Sequence, residues 1–297
     1  MTRTEKANAK INLYLDVVSK RPNGYHNIVS MMQTVSLCDL VTVAFCPAEQ
    51  TTISLSAVGN DDMPTDRRNL AWRAAELFLT ETAQCGEVTI SIEKQIPMAA
   101  GLAGGSADAA AVFRGLNALC GNPLSTEALC TLGSRLGADI PFCILGGTAL
   151  VTGIGEGLEP IASMGDLPIV VACRGEGVST VWAYGKLDEA YGDFSNLKES
   201  TDAPERLAAL LADGNVERAK ALLFNLFEEV VPTVQPYVNS LKQTMMEHGA
   251  IASMMSGSGP SVFGIFSSNA DAERACEVLK KQGASAFVCR PCGSFEI

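Results

Sequence analysis

The chain has 297 residues, 47% of them apolar, and a formal net charge of −11 at neutral pH. That length and apolar fraction allow one large or two ordinary globular domains with a sizeable core. The acidic balance argues against nucleic acid or an anionic membrane as partner, and no apolar run approaches the ~18 to 20 residues of a membrane span.

Near the start, Glu5, Lys6 and Lys10 precede a segment broken by Asn12 and Asp16, so no signal peptide is expected. Residues 11–18 read as a strand. Lys10, Asn12, Tyr14 and Asp16 fall on one side and Ala9, Ile11, Leu13 and Leu15 on the other, the pattern of a solvated sheet face above a core. Pro22-Asn23-Gly24 is a turn signal, with the next strand expected from Tyr25. Residues 41–45 and 53–57 are strand-like, and 69–80 predicts a helix with Leu70, Ala74, Leu77 and Phe78 on one face.

Residues 88–93 alternate as a half-buried strand, and after Pro97 to Asp108 the residues Ala109, Val112, Phe113, Leu116 and Leu119 recur at helical spacing. A glycine-rich loop thus joins a strand to a helix start. There, unpaired N–H groups and the positive end of the helix dipole can hold an anion. The alternative is a tight turn before a helix of small residues. No Gly-Lys-Ser/Thr follows, so it is not a Walker A loop, and it lacks the dinucleotide fingerprint. A second helix is expected over 124–136 with Ser125 as N-cap. Asp139 precedes Ile140-Pro141, as an N-cap or turn carboxylate would.

Gly153-Ile-Gly-Glu-Gly157 reads as a turn, because Pro160 follows closely. A buried strand over 168–172 comes next, then helices over 204–212, 216–230 and 234–248, a strand over 261–266, and a final helix and strand. The order predicts an α+β protein with two lobes, residues 1–162 and 163–297, divided near 159–167. Ten scattered cysteines without a framework predict reduced thiols and a cytoplasmic location. Cys289-Arg-Pro-Cys292 has metal-ligand spacing but no second pair, and a structural role is expected.

The pattern of Pro97, Gly101-Leu102 and Gly104-Gly105-Ser106 resembles the phosphate loop of the GHMP small-molecule kinases. The segments 9–15 and 255–264 are similar to two further family motifs, in the family's order. Two more runs, Arg21-Pro22-Asn23-Gly24-Tyr25-His26 and Gly137-Ala138-Asp139-Ile140-Pro141-Phe142, resemble the members that phosphorylate a cytidine diphosphate derivative of methylerythritol in non-mevalonate isoprenoid synthesis. The resemblance implies a ribosomal-protein-S5-like N-terminal lobe, a ferredoxin-like C-terminal lobe and catalysis between them. It implies ATP as donor, Mg²⁺, and the 2-hydroxyl of the erythritol moiety as acceptor. It also implies Asp139 as general base, with Lys10 beside it to keep the carboxylate ionised and stabilise developing charge.

By the same resemblance, Pro97, Met98, Ala99, Ala100, Gly101, Leu102, Ala103, Gly104, Gly105, Ser106 and Ala107 cradle the phosphates, Ser106 being a ligand for Mg²⁺ or a phosphate oxygen. Asn69, Lys94 and Met98 match positions near adenine; their ordinary roles would be a helix cap, a solvated strand end and a core methionine. Asn12 belongs with the acceptor, and Tyr25 and His26 with the cytosine. Thr180 and Tyr184 match, more loosely, an aromatic on the far side of the base; Trp182 reads as packing. Ala99, Ala100 and Ala103 stand where some relatives have glycine, and Ala107 where many have serine. No acidic metal ligand stands out. A small-molecule substrate and a monomer or homodimer are expected. The rival readings are a GHMP kinase for another small alcohol, such as mevalonate or homoserine, and a nucleotide-binding regulator without catalysis. Tyr25-His26 speaks against the first, and the pair Lys10 and Asp139 against the second.

Overall fold

A computed structural model describes residues 1–59, 62–192, 194 and 202–295. Among these residues the strands form two sheets. The first is built on two long strands, β1 (Thr2–Lys20) and β2 (His26–Pro47), paired antiparallel. β3 (Thr52–Val58), α1 (Leu70–Glu81) and β4 (Gly86–Glu93) follow, with β4 antiparallel to the second half of β2 and parallel to β3. The alternation expected in β4 is real: Val88, Ile90 and Ile92 are buried, while Glu87, Thr89 and Glu93 are exposed.

α2 (Gly104–Leu119) lies over this sheet, and its small residues let it approach closely; a Cβ built on Gly115 would sit 3.3 Å from Val43. α1 buries Ala71, Ala74, Ala75 and Phe78 at i, i+3, i+4 and i+7. α3 (Thr126–Ser134), capped by Ser125 as expected, and the short α4 (Ile140–Leu145) complete the layer. β5 (Thr148–Gly153) pairs with the first half of β2 and turns back into β6 (Gly157–Pro160).

The second sheet is antiparallel, in the order β11 (Ser285–Cys289), β7 (Ile169–Cys173), β10 (Val262–Phe266), β9 (Ala250–Met255). Around it lie α5 (Thr180–Tyr191), α6 (Ala203–Ala212), α7 (Val216–Ala219), α8 (Tyr237–Glu247) and α9 (Asn269–Lys281). The helix expected over 216–230 does not form. α7 gives way to a 3₁₀ turn, the two-residue strand β8 (Phe224–Asn225) and a second 3₁₀ turn over Leu226–Glu229. The local pattern loses to tertiary bonds: Phe224 and Asn225 pair with Tyr14 and Leu15 of β1, and Asn225 Nδ2 donates to Met255 O and Gly257 O.

The expectation of a solvated face on β1 also fails. Residues 7–17 are all buried, because apolar side chains of the second sheet (Val171, Phe263) and of the first (Ile11, Leu13, Met31) share one core cluster. Lys10, Asn12 and Asp16 are therefore polar groups in the interior.

Candidate active site

The loop between β4 and α2 turns through left-handed conformations at Ala99 (φ 51°), Gly101 (φ 78°) and Ala103 (φ 57°). At Gly101 only glycine fits, since a Cβ there would lie 2.3 Å from Ser256 O. No side chain caps α2. Its first-turn N–H groups at Gly104, Gly105 and Ser106 are left to an external acceptor, and Gly105 is exposed to solvent. This is the geometry of an anion cradle. Met98 is 42% exposed beside it, so it is not the core methionine of the ordinary alternative.

Backbone bonds fasten the loop. Lys10 N–H donates to Leu102 O at 3.1 Å and Ser261 N–H to Ala100 O at 3.2 Å. The hydroxyl of Ser256 donates to Gly101 O at 3.1 Å and accepts the N–H of Asn12 at 3.3 Å. The second glycine-rich loop, 256–259, therefore packs against both the first loop and β1; a Cβ on Gly257 would meet Gly101 O at 3.0 Å and Lys10 Nζ at 3.4 Å.

Beside the cradle, Lys10 Nζ donates to Asn12 Oδ1 at 2.6 Å and lies 4.0 Å from Asp139 Oδ2. Asn12 Nδ2 donates onward to the Ser30 hydroxyl at 2.9 Å. The ammonium is buried, while the Asp139 side chain is 36% exposed. Asp139 occupies the N-cap position of α4 without making a capping bond, so its carboxylate is not used by its own helix. Its charge is felt at Tyr184, whose phenol is pushed up by burial first and by Asp139 second. An uncapped helix start, a fixed ammonium and a solvent-facing carboxylate thus come together. Such a set can align a phosphoryl donor with an alcohol and accept the alcohol's proton.

The other expected residues divide. Tyr25 is 59% exposed at the end of a turn in which its N–H donates to Asn23 Oδ1. His26 is buried, its ring stacked on Tyr184 at 4.6 Å between centroids and its Nε2 2.7 Å from Asp188 Oδ1. The imidazole is thus engaged on one face and at one nitrogen. Thr180 Oγ1 is 3.1 Å from Ser258 Oγ, at the second glycine loop. Trp182 is half-buried against the core cluster that holds Leu15, Ala183, Leu187 and Val262. Asn69 does cap α1: its Oδ1 accepts the N–H of Ala71 at 2.8 Å, and Nδ2 donates to Pro64 O. Lys94 is not a solvated strand end. It is 4% exposed and bonded to Asp39 and Asp108, and burial pushes the carboxyl of Asp108 up to about 7.

Sequence reasoning did not single out Asp39, Asp108, Asp188 or Asn225. The available signal was a lone acid in an apolar strand, Leu37-Cys38-Asp39-Leu40-Val41, which a buried partner must compensate.

Models of the GHMP kinases' N-terminal and C-terminal domains match residues 69–147 and 207–285. The chain is 42% identical over 290 residues to the 4-diphosphocytidyl-2-C-methyl-D-erythritol kinase of Gloeobacter violaceus, covering 96% of this chain and 93% of that one. It is 44% identical to the enzyme of the same name from a Synechococcus species, over 93% and 89% of the two chains. A crystal structure of 4-(cytidine 5'-diphospho)-2C-methyl-D-erythritol kinase superposes with a TM-score of 0.80 at 32% identity, covering 98% of this chain and all of that one. A homoserine kinase from Cytophaga hutchinsonii shares the fold, with a TM-score of 0.74 at 18% identity.

Proposed function

The chain belongs to the GHMP kinases, and on that premise we propose that it transfers the γ-phosphoryl group of ATP to the 2-hydroxyl of 4-diphosphocytidyl-2-C-methyl-D-erythritol, a step in non-mevalonate isoprenoid synthesis. It is a kinase with a small-molecule substrate, like the relatives it matches along almost their full length. The single observation that carries the site assignment is the uncapped start of α2 opening beside the Lys10–Asp139 pair.

In this reading, Gly101 to Ser106 present backbone N–H groups to the phosphates of ATP, with Pro97 to Ala100 and Ala107 shaping the cradle. Asp139 takes the proton of the attacking hydroxyl, and its freedom from capping leaves both oxygens for that task. Lys10, oriented by Asn12 Oδ1, stabilises the charge that develops between donor and acceptor. Mg²⁺ would neutralise phosphate charge when bound with ATP. The described residues hold no cluster of three metal-ligating side chains, so the ion would be held mainly by phosphates and water, with the Ser106 hydroxyl as the protein ligand at hand.

The cytosine would stack on exposed Tyr25. His26, its ring engaged by Tyr184 and Asp188, would meet the base edge with its backbone, and Thr180 and Tyr184 would close the far side. Met98 would border the adenine, with Asn69 shaping that wall from its capping position. The lobe division at residues 162 and 163 belongs to the same reading and is supported by the change of sheet between Pro160 and Ile169. A cytoplasmic location and a monomer or homodimer complete it.

Incubation with Mg-ATP and the cytidyl substrate, followed by ³¹P NMR, tests the reaction. A new monophosphate ester that requires the cytidyl group is expected. Ester formation on mevalonate or homoserine instead would overturn the substrate, and ATP binding without any ester would favour a regulator.

A further inference from the structure

Beneath the phosphate loop lie three charged side chains that this chemistry does not use. Lys94 is 4% exposed, Asp39 0% and Asp108 2%. On one oxygen Asp39, from β2, accepts the backbone N–H groups of Gln95 and Ile96; on the other it accepts the Lys94 ammonium. Lys94 also reaches Asp108 Oδ2, in α2, at 2.9 Å. Residues 94–96 lead into the loop and Asp108 lies just past its exit, so one ammonium bridges the two ends. The loop rests on this bridge: a Cβ on Gly104 would lie 3.1 Å from Ile96 Cγ2 and 3.5 Å from Lys94 Nζ.

A buried ion cluster contributes little net stability over apolar side chains of the same size, because desolvation offsets the attraction. Its bonds do have direction, and charge-assisted bonds hold geometry well. We propose that Asp39, Lys94 and Asp108 are positioning residues that fix the separation of the loop's two ends, so that the N–H groups of Gly104, Gly105 and Ser106 converge on the donor's phosphates. This rests on the assignment of residues 101–106 as the ATP cradle. It sets the Lys94 ammonium under the loop rather than against adenine. The staple acts on the donor side; the acceptor side, at Lys10 and Asp139, is built on other elements.

The test is equilibrium binding of ATP and, separately, of the cytidyl substrate to the full chain, with KM and kcat for each. Asp108→Ala removes one end of the bridge, whereas Asp108→Asn keeps a carbonyl oxygen for the Lys94 ammonium. In Asp108→Ala the Kd and KM for ATP should rise about tenfold or more while those for the cytidyl substrate stay within about twofold; Asp108→Asn should recover most of the loss. If Asp108→Ala does not fold, Asp39→Asn carries the test. Its amide oxygen still accepts the two backbone N–H groups, but its nitrogen faces the ammonium, and the same selective loss for ATP is expected. Wild-type ATP affinity in the variant that folds, equal weakening of both ligands, or an Asp108→Asn variant as weak as Asp108→Ala each overturns the staple. Failure of the wild-type chain to bind ATP would overturn the functional reading itself, and the staple with it.

Discussion

Asp139 heads a helix without capping it, and its nearest cation, Lys10, is held instead by Asn12 at 2.6 Å. A side chain with so few structural duties can be changed at little cost to folding. Asp139→Asn should fold as the wild type and bind both substrates, yet lose on the order of 10² to 10⁴ in turnover, measured as kcat. Turnover near that of the wild type would remove the base assignment. Asp188 is the opposite case, tied to both Lys20 Nζ at 2.6 Å and His26 Nε2 at 2.7 Å. Burial pushes its carboxyl up, but the bonds from Lys20 and His26 outweigh that and hold it below the usual carboxylate range. A depressed folded-state pKa means that the stabilisation is complete above the ordinary carboxylate range and is lost as pH falls through the folded value. Asp188→Asn should therefore lower Tm at pH 7 by about 1 to 3 °C, the scale of a partly exposed pair, and the difference should shrink as pH falls below the ordinary carboxylate range. A difference that does not shrink at all as the pH falls would mean that packing, not charge, is what the substitution removes.

Among the elements, the glycine-rich loop before α2 shows how a backbone requirement is met with an unsuited residue. Ala103 sits at φ 57°, in the left-handed region that costs a residue with a Cβ about 1 to 2 kcal/mol. Glycine there loses more chain entropy on folding, so the net gain of Ala103→Gly should be about 0.5 to 1 kcal/mol, seen as a small rise in Tm. A fall in Tm would show that contacts of the alanine methyl outweigh the conformational cost. The strand, glycine run and following helix were legible because period-2 and period-3.6 patterns meet there with nothing ambiguous between them. Residues 216–230 were not, because their apolar spacing suits a helix while Asn225 is captured by Met255 and Gly257, far away in sequence. The capping role of Asn69 was visible as an alternative at that position, and the structure realises it.

At the scale of the whole molecule, the chain returns to its first half after completing its second sheet. Val35 pairs with Pro291, Gly146 with Ser294, and Phe295 N–H donates to Leu145 O. The Phe295 ring lies 3.9 Å from the guanidinium carbon of Arg114, whose own bonds reach Lys6 O and Cys143 O. Phe295→Ala should cost about 1 to 2 kcal/mol through the lost cation–π contact and lower Tm by a few degrees; an unchanged Tm would show that the tail's backbone bonds suffice without the ring. Cys289-Arg-Pro-Cys292, with its metal-like spacing, lies at the start of this tail, where Cys292 N–H donates to Thr34 O. By itself the sequence determined the class of fold and the kinase family and marked the glycine-rich turn between a strand and a helix, because these rest on short-range spacing and on motifs in a fixed order. Tertiary structure alone decided that Lys10 and Asn12 are buried rather than solvated, that His26 is held by Tyr184 and Asp188, and that Lys94 lies between two acids. Each of these depends on which distant segment covers a given face, and a strand's alternation says which side a residue is on but not what will pack against it.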